Sequence, residues 1–231
     1  MKKKILAVSL VVAMLALATL GSTLAWFTAE DSVDNKFTIG SVEINQLEKE
    51  HDAGGNLVDF THNQPLVPIV NTADPAADES YIEKIVTVEN TGKNGAYIRT
   101  SIAVPLQLKD YIHLDISDSA NWEKVAEKTV GDLFVYIYDY KVELGVAATD
   151  KVSDVLLEGV YLDSRADVKL NETSGKVEFC MPDGNGYTFS GYEVADSTIV
   201  DVLVATQAIQ ADGFSGYTSA LANFDSATPW G

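Results

Sequence analysis

The chain has 231 residues, which favours one domain and leaves little room for a multidomain enzyme. Apolar residues make up 46%, so a packed core is possible and wholesale disorder is excluded. Sixteen basic residues face 34 acidic ones, a formal charge of -18, which disfavours nucleic acid and anionic lipid as partners. The single cysteine, Cys180, rules out an intrachain disulfide framework and any multi-cysteine metal centre.

The N-terminus has the layout of a secretory signal peptide. Lys2, Lys3 and Lys4 form a positive start, Ile5 to Leu20 is almost wholly apolar, and Thr23 and Ala25 are the small residues a signal peptidase reads. A retained membrane anchor is the competing reading, since about 20 apolar residues span a bilayer. Cleavage after Ala25 is the expectation. It makes residues 1–25 the leader and Trp26 the new first residue, and it leaves a chain of charge -21, because the leader carries three lysines and no acid.

The remainder reads as strands and turns. Phe37 to Ile44 is expected as one strand, bulged or kinked at Gly40, where its apolar phase slips by one residue. Asp52 to Asn56 is a hairpin turn and Leu57 to Phe60 the return. Asn71 to Ser80 is a loop. Glu83 to Glu89 and Ala96 to Val104 are strands around the turn Asn90 to Gly95, the second ended by Pro105. Leu133 to Leu144 has apolar residues on both faces, with Phe134, Tyr136, Tyr138 and Tyr140 opposite Val135 and Ile137, which predicts a central strand. Asp154–Leu162, Lys176–Met181, Tyr187–Val194 and Ile199–Ala208 complete about nine strands, and Tyr217, Leu221 and Phe224 mark a short C-terminal helix. The expected fold class is all-β, a jelly-roll-like β-sandwich over residues 45–231 with one short helix.

Catalytic signals are weak. His51, His62 and His113 have no zinc-protease spacing, no Gly-x-Ser-x-Gly is present, and Cys180 lies in a strand-like apolar run. Calcium is the only cofactor with candidate ligands, at Asp115, Asp118 and Asn121 and in the loop carrying Asp74, Asp78 and Glu79, although neither group has EF-hand spacing.

The junction after the leader is more informative. Trp26-Phe27 followed by the polar stretch Thr28 to Lys36 is an apolar hook on a tether. Burying each ring is worth roughly 1.5–3 kcal/mol before entropy losses. The hook either folds back on its own sheet or adds a strand to a neighbour's sheet edge, and the second contact, passed from copy to copy, generates an open filament.

Leu24-Ala25-Trp26-Phe27-Thr28-Ala29-Glu30-Asp31, followed by Asn35 to Val42, resembles the start of the TasA/camelysin family of secreted proteins. Val88 to Gly92 with Ala96 to Arg99, and Val202 to Phe214, are also similar to that family, whereas Leu108 to Thr198 matches no motif of it. The resemblance implies a jelly-roll subunit of biofilm-matrix fibres, released by a SipW-type signal peptidase, polymerising with itself and meeting an accessory matrix protein. It also implies a donor strand over residues 26–44, with Trp26, Phe27, Val33, Phe37, Ile39, Val42 and Ile44 as the apolar contacts. A camelysin-like metallopeptidase and a monomeric surface adhesion module are the alternatives. If copies of charge -21 do associate, they repel over about 10 Å at about 0.1 M salt. Light scattering across a salt series is therefore expected to show faster assembly as ionic strength rises, and a flat series contradicts this.

Overall fold

The computed structural model describes residues 38–39, 42–62, 64–195, 200–224 and 229–230. The leader, Trp26, Phe27, Val33 and Phe37 lie outside the described residues.

Among the described residues, thirteen strands and one α-helix build an antiparallel β-sandwich. In chain order the strands are β1 (Thr38–Ile39), β2 (Val42–His51), β3 (Leu57–Asp59), β4 (Ile82–Asn90), β5 (Ala96–Pro105), β6 (Ile112–Ile116), β7 (Trp122–Val130), β8 (Leu133–Tyr140), β9 (Leu157–Leu162), β10 (Asp167–Asn171), β11 (Lys176–Pro182), β12 (Tyr187–Glu193) and β13 (Leu203–Gln210), followed by helix α1 (Tyr217–Leu221). One sheet runs β1-β2-β4-β9-β6, with β3 also paired to β2, and the second runs β13-β5-β8-β7. The connections β4 to β5, β6 to β7 and β8 to β9 each pass from one sheet to the other, the crossing habit of a jelly roll. A third, smaller sheet, β10-β11-β12, is hydrogen-bonded to neither.

The main core fills the space between the two large sheets. Val42 and Ile44 on β2, Val86 and Val88 on β4, Ile98 and Ile102 on β5, and Leu157 and Leu162 on β9 are all nearly or wholly inaccessible. The alternation of β8 is realised as its sequence implies. Tyr138 and Tyr140 point into the main core, while Val135 and Ile137 point to the opposite face, where a second cluster includes Trp230. β8 sits between β5 and β7, a central position that explains why both faces had to be apolar. Helix α1 lies on that outer face beside β5, β8 and β13, and Tyr217 Oη donates to Glu123 Oε2 at 3.0 Å. Under it, Arg99 forms a two-pronged pair with Asp139, at 2.6 and 2.9 Å, so the buried carboxylate is neutralised inside the cross-strand row Gln207, Arg99, Asp139 and Glu123.

Two local expectations change. Phe37 to Ile44 is not one bulged strand: β1 pairs antiparallel with β2, Ile39 opposite Val42 and Thr38 opposite Glu43. The antiparallel pairing of β1 with β2 alters apolar phase just as a bulge does. Strands β6, β7 and β10 are additional to those expected: β6 (Ile112, Leu114, Ile116) and β10 (Val168, Leu170) alternate but are only five residues long. β7 is mostly exposed and heavily charged, so it has no apolar face to alternate.

Burial pushes the Tyr138 phenol up to about 12 and raises Tyr111, Tyr136 and Tyr140 in the same direction. A phenol held above its ordinary value of 10.0 stabilises the fold fully below that pH and loses its contribution as pH rises toward 12. Circular dichroism is expected to show cooperative unfolding between pH 10 and 12, shifted upward in Tyr138→Phe. An unshifted transition in that variant contradicts the assignment.

Candidate functional site

The site is the seam where the two large sheets meet along β2 and β13. On one side β2 is laddered to β4. On its other side β1 takes Val42 and Glu43 and β3 takes Lys49 to His51, and between them no strand among the described residues pairs with β2. Among the described residues, only the Glu48 carbonyl is met there by backbone, accepting from the Phe60 N–H at 3.1 Å. Among the described residues β13 ends its sheet; it faces this stretch, and β1 lies beside both.

Side chains close the seam. Gln46 Nε2 donates to the Val204 carbonyl at 3.2 Å and to Glu48 Oε1 at 3.0 Å. Gln46 Oε1 accepts from Thr206 Oγ1 at 3.0 Å, and Thr206 Oγ1 contacts Thr100 Oγ1 at 2.9 Å. Glu48 Oε2 accepts from Lys84 Nζ, whose ammonium also sits 4.3 Å from the centre of the Phe60 ring. Thr100, Thr206 and Lys84 are all buried, so the hydrogen bonds are obligatory rather than decorative. The result is a polar ladder from β5 through β13 and β2 to β4, in place of a backbone ladder.

The chemistry of the other edges differs. β7 carries Glu123, Lys124, Glu127 and Lys128 and is bulged between Lys124 and Ala126; β6 carries His113 and Asp115, and the register shift in its pairing with β9 puts the extra residue, Glu158, on β9. Charges and bulges blunt an edge against adding a strand. β13, Leu-Val-Ala-Thr-Gln-Ala-Ile-Gln, has neither charge nor bulge.

At one end the seam opens into a groove of about 540 Å3. Ile82 and Lys84 of β4, Val160 and Leu162 of β9, and Phe179 of β11 line it, together with Phe60, Leu66, and Val200 and Val202 just ahead of β13. Asp167 and Asp201 stand at its rim, and His62 lies edge-on to Phe60.

The sequence-derived candidates fall in several places. Val42 and Ile44 are wholly buried in this copy's own core, so neither side chain is free to leave it. Ile39 is the first of the named contacts whose backbone sits at the seam. The calcium candidates are engaged separately: Asp115 accepts from Tyr81 Oη at 2.8 Å, and Asn121 donates to Asp154 Oδ2 at 2.9 Å, while Asp118 is exposed. Asp78 is taken up by the backbone N–H groups of Val70, Asn71 and Ser80, which hold its carboxyl below the usual range. The three histidines have separate partners. His51 contacts Glu83, His113 contacts Asp163 at 3.0 Å and stacks on Tyr161, and His62 lines the groove. Among the described residues no group of three or more His, Cys, Asp or Glu is placed to hold a metal. Cys180 is buried, and burial raises its thiol. Sequence reasoning missed Gln46, Glu48 and Lys84, because each looks like an ordinary polar strand residue until β13 is brought beside β2.

No family model, curated protein or solved structure matches the chain.

Glu48→Ala strands the buried Lys84 ammonium and cuts the ladder. It is expected to lower unfolding stability by roughly 3–5 kcal/mol in urea titrations. A loss below about 1 kcal/mol contradicts the role given to the pair.

Proposed function

We propose that the protein is a secreted structural subunit that polymerises into extracellular matrix fibres by passing its N-terminal segment to the next copy. The observation that carries this reading is the seam: two facing strand edges joined by side chains, of which β13 lacks charge and bulge. A strand added there gains backbone hydrogen bonds along both edges, and the side-chain ladder marks where it must part. β1 begins beside both edges, so the segment ahead of it starts at the place where the strand is needed.

Val42 and Ile44 belong to the recipient's own core, so the donated strand in this proposal ends ahead of Val42. It comprises Trp26 to Ile39, with Trp26, Phe27, Val33, Phe37 and Ile39 as its apolar side chains. A copy that keeps this segment is a closed monomer, and a copy that passes it on becomes a link in a chain. The two states use the same edges, which is the logic of domain swapping. Release by a signal peptidase after Ala25 frees the segment. The charge of -21 on the released chain then keeps copies dispersed until salt or divalent cations screen it.

Deletion of residues 26–35 is expected to abolish filaments in electron micrographs while leaving a folded, monomeric protein by circular dichroism and light scattering. Filaments of normal appearance from the deleted chain overturn the proposal.

A further inference from the structure

Away from the seam, the outward face of the sheet β1-β2-β4-β9-β6 carries a row of rings. Val160 and Leu162 of β9 point into the core, so Gly159 and Tyr161, which alternate with them, point out. Gly159 has no room for a side chain, because a Cβ there would overlap the Tyr81 ring. Tyr81, the residue ahead of β4, therefore lies across β9 with its ring on the Gly159 backbone. Its phenol donates to Asp115 Oδ2 on β6 at 2.8 Å. Gly159 is buried and Tyr81 only partly so, which leaves the other face of the ring toward solvent. The Tyr161 ring follows at 6.3 Å from that of Tyr81, and His113 stacks on Tyr161 at 5.0 Å. Both ladders of β9 shift register beside Gly159, and Glu158 is the extra residue against β6. Such irregularities re-aim side chains and recur at functional positions.

We propose that this row is a carbohydrate-binding shelf for a glycan whose equatorially substituted pyranose rings carry free amino groups. The axial C–H bonds of such a sugar form an apolar, slightly positive face, which matches the negative face of a tyrosine ring. Tyr81 is held by Gly159 beneath it and by Asp115 at its tip, so it loses little freedom when a sugar stacks on it. Groups that can meet hydroxyls stand at the far end of the row. Asp163 accepts from Arg165 Nε and Nη2 at 2.9 and 3.0 Å and contacts His113 Nε2 at 3.0 Å, which leaves Arg165 Nη1 and His113 Nδ1 for the ligand. Charge selects the class of sugar. Asp115 Oδ1 and the exposed Glu158 carboxylate have no hydrogen-bond or ion-pair partner among the described residues, whereas both oxygens of Glu83 are taken by His51. A sugar ammonium meets these carboxylates and the Tyr81 face together. A uronate or sulfated sugar is repelled by the same carboxylates. The shelf shares no residue with the seam, so the inference does not rest on strand donation; it adds a surface by which the protein holds a polysaccharide.

Isothermal titration calorimetry on the full chain tests this, at a mildly acidic pH that keeps sugar amines charged. The probes are soluble hexamers of β-1,4-linked glucosamine, of N-acetylglucosamine and of galacturonate, with hexalysine as a cation that has no sugar ring. The expected result is that the glucosamine hexamer binds, the N-acetylated hexamer binds roughly tenfold or more weakly, and the galacturonate hexamer does not bind. Tyr81→Ala is expected to weaken the glucosamine hexamer roughly tenfold or more and to leave hexalysine unchanged, while Tyr81→Phe, which keeps the ring, retains most of the affinity. Glu158→Gln, at an exposed position, is expected to weaken the glucosamine hexamer and leave the N-acetylated one unchanged. No binding of the glucosamine hexamer, binding that survives Tyr81→Ala, or a hexalysine response that falls in parallel overturns the shelf. Should Tyr81→Ala fail to fold by circular dichroism, unchanged discrimination between the two hexamers in Glu158→Gln overturns it instead. Filaments are expected from Tyr81→Phe as from the unchanged chain, so failure of glycan binding and failure of strand donation are read separately.

Discussion

Among the described residues, the two large sheets of this sandwich are joined along β2 and β13 by side chains instead of backbone. Gln46 is the centre of that join: its amide donates to the Val204 carbonyl and to Glu48, and its oxygen accepts from Thr206. Buried amide and hydroxyl groups are costly to leave without partners, so the join is cooperative, each bond fixing the orientation of the next. Glu48 carries it to the buried Lys84 ammonium, and Thr206 carries it to Thr100. A backbone ladder here would close the sandwich for good. A side-chain ladder holds it shut and still allows a strand to replace it, because the polar groups it releases find new partners along an incoming backbone.

That property gives a physical reason for the contrast between edges. β7 is protected by charge and a bulge and β6 by charge, and β13 itself carries neither charge nor bulge. An edge strand with neither charge nor bulge is unprotected against pairing with another strand. A subunit that joins others by strand addition needs one receptive border, and only if the rest are refractory does growth stay linear instead of branching. The acidic surface acts in the same direction at longer range, resisting association except where a specific contact outweighs repulsion.

Much of the fold is legible in the chain because strands with one or two buried faces have a strong apolar rhythm. β8 is the clearest case, with tyrosines toward one core and Val135 and Ile137 toward another. The hairpin at Asp52 to Asn56 is legible from turn chemistry, since Asp52 Oδ1 accepts from the Gly54 and Asn56 N–H groups. β7 has no rhythm because its side chains are mostly exposed, β10 alternates at Val168 and Leu170 but is only five residues long, and a reversal and a bulge shift the phase of β1–β2 alike. The seam and the groove were illegible for a different reason. Gln46, Lys84, Val160, Phe179 and Val202 are brought together by sheet topology over more than 150 residues of chain, and no local pattern predicts such a meeting.

A density map of assembled fibres at side-chain resolution tests the central claim most directly. The account predicts a strand from a neighbouring copy lying between β2 and β13, with Gln46 turned away from Val204 to admit it. A strand at that place traced to the same molecule, or a seam still closed by the Gln46–Val204 bond within a fibre, contradicts it.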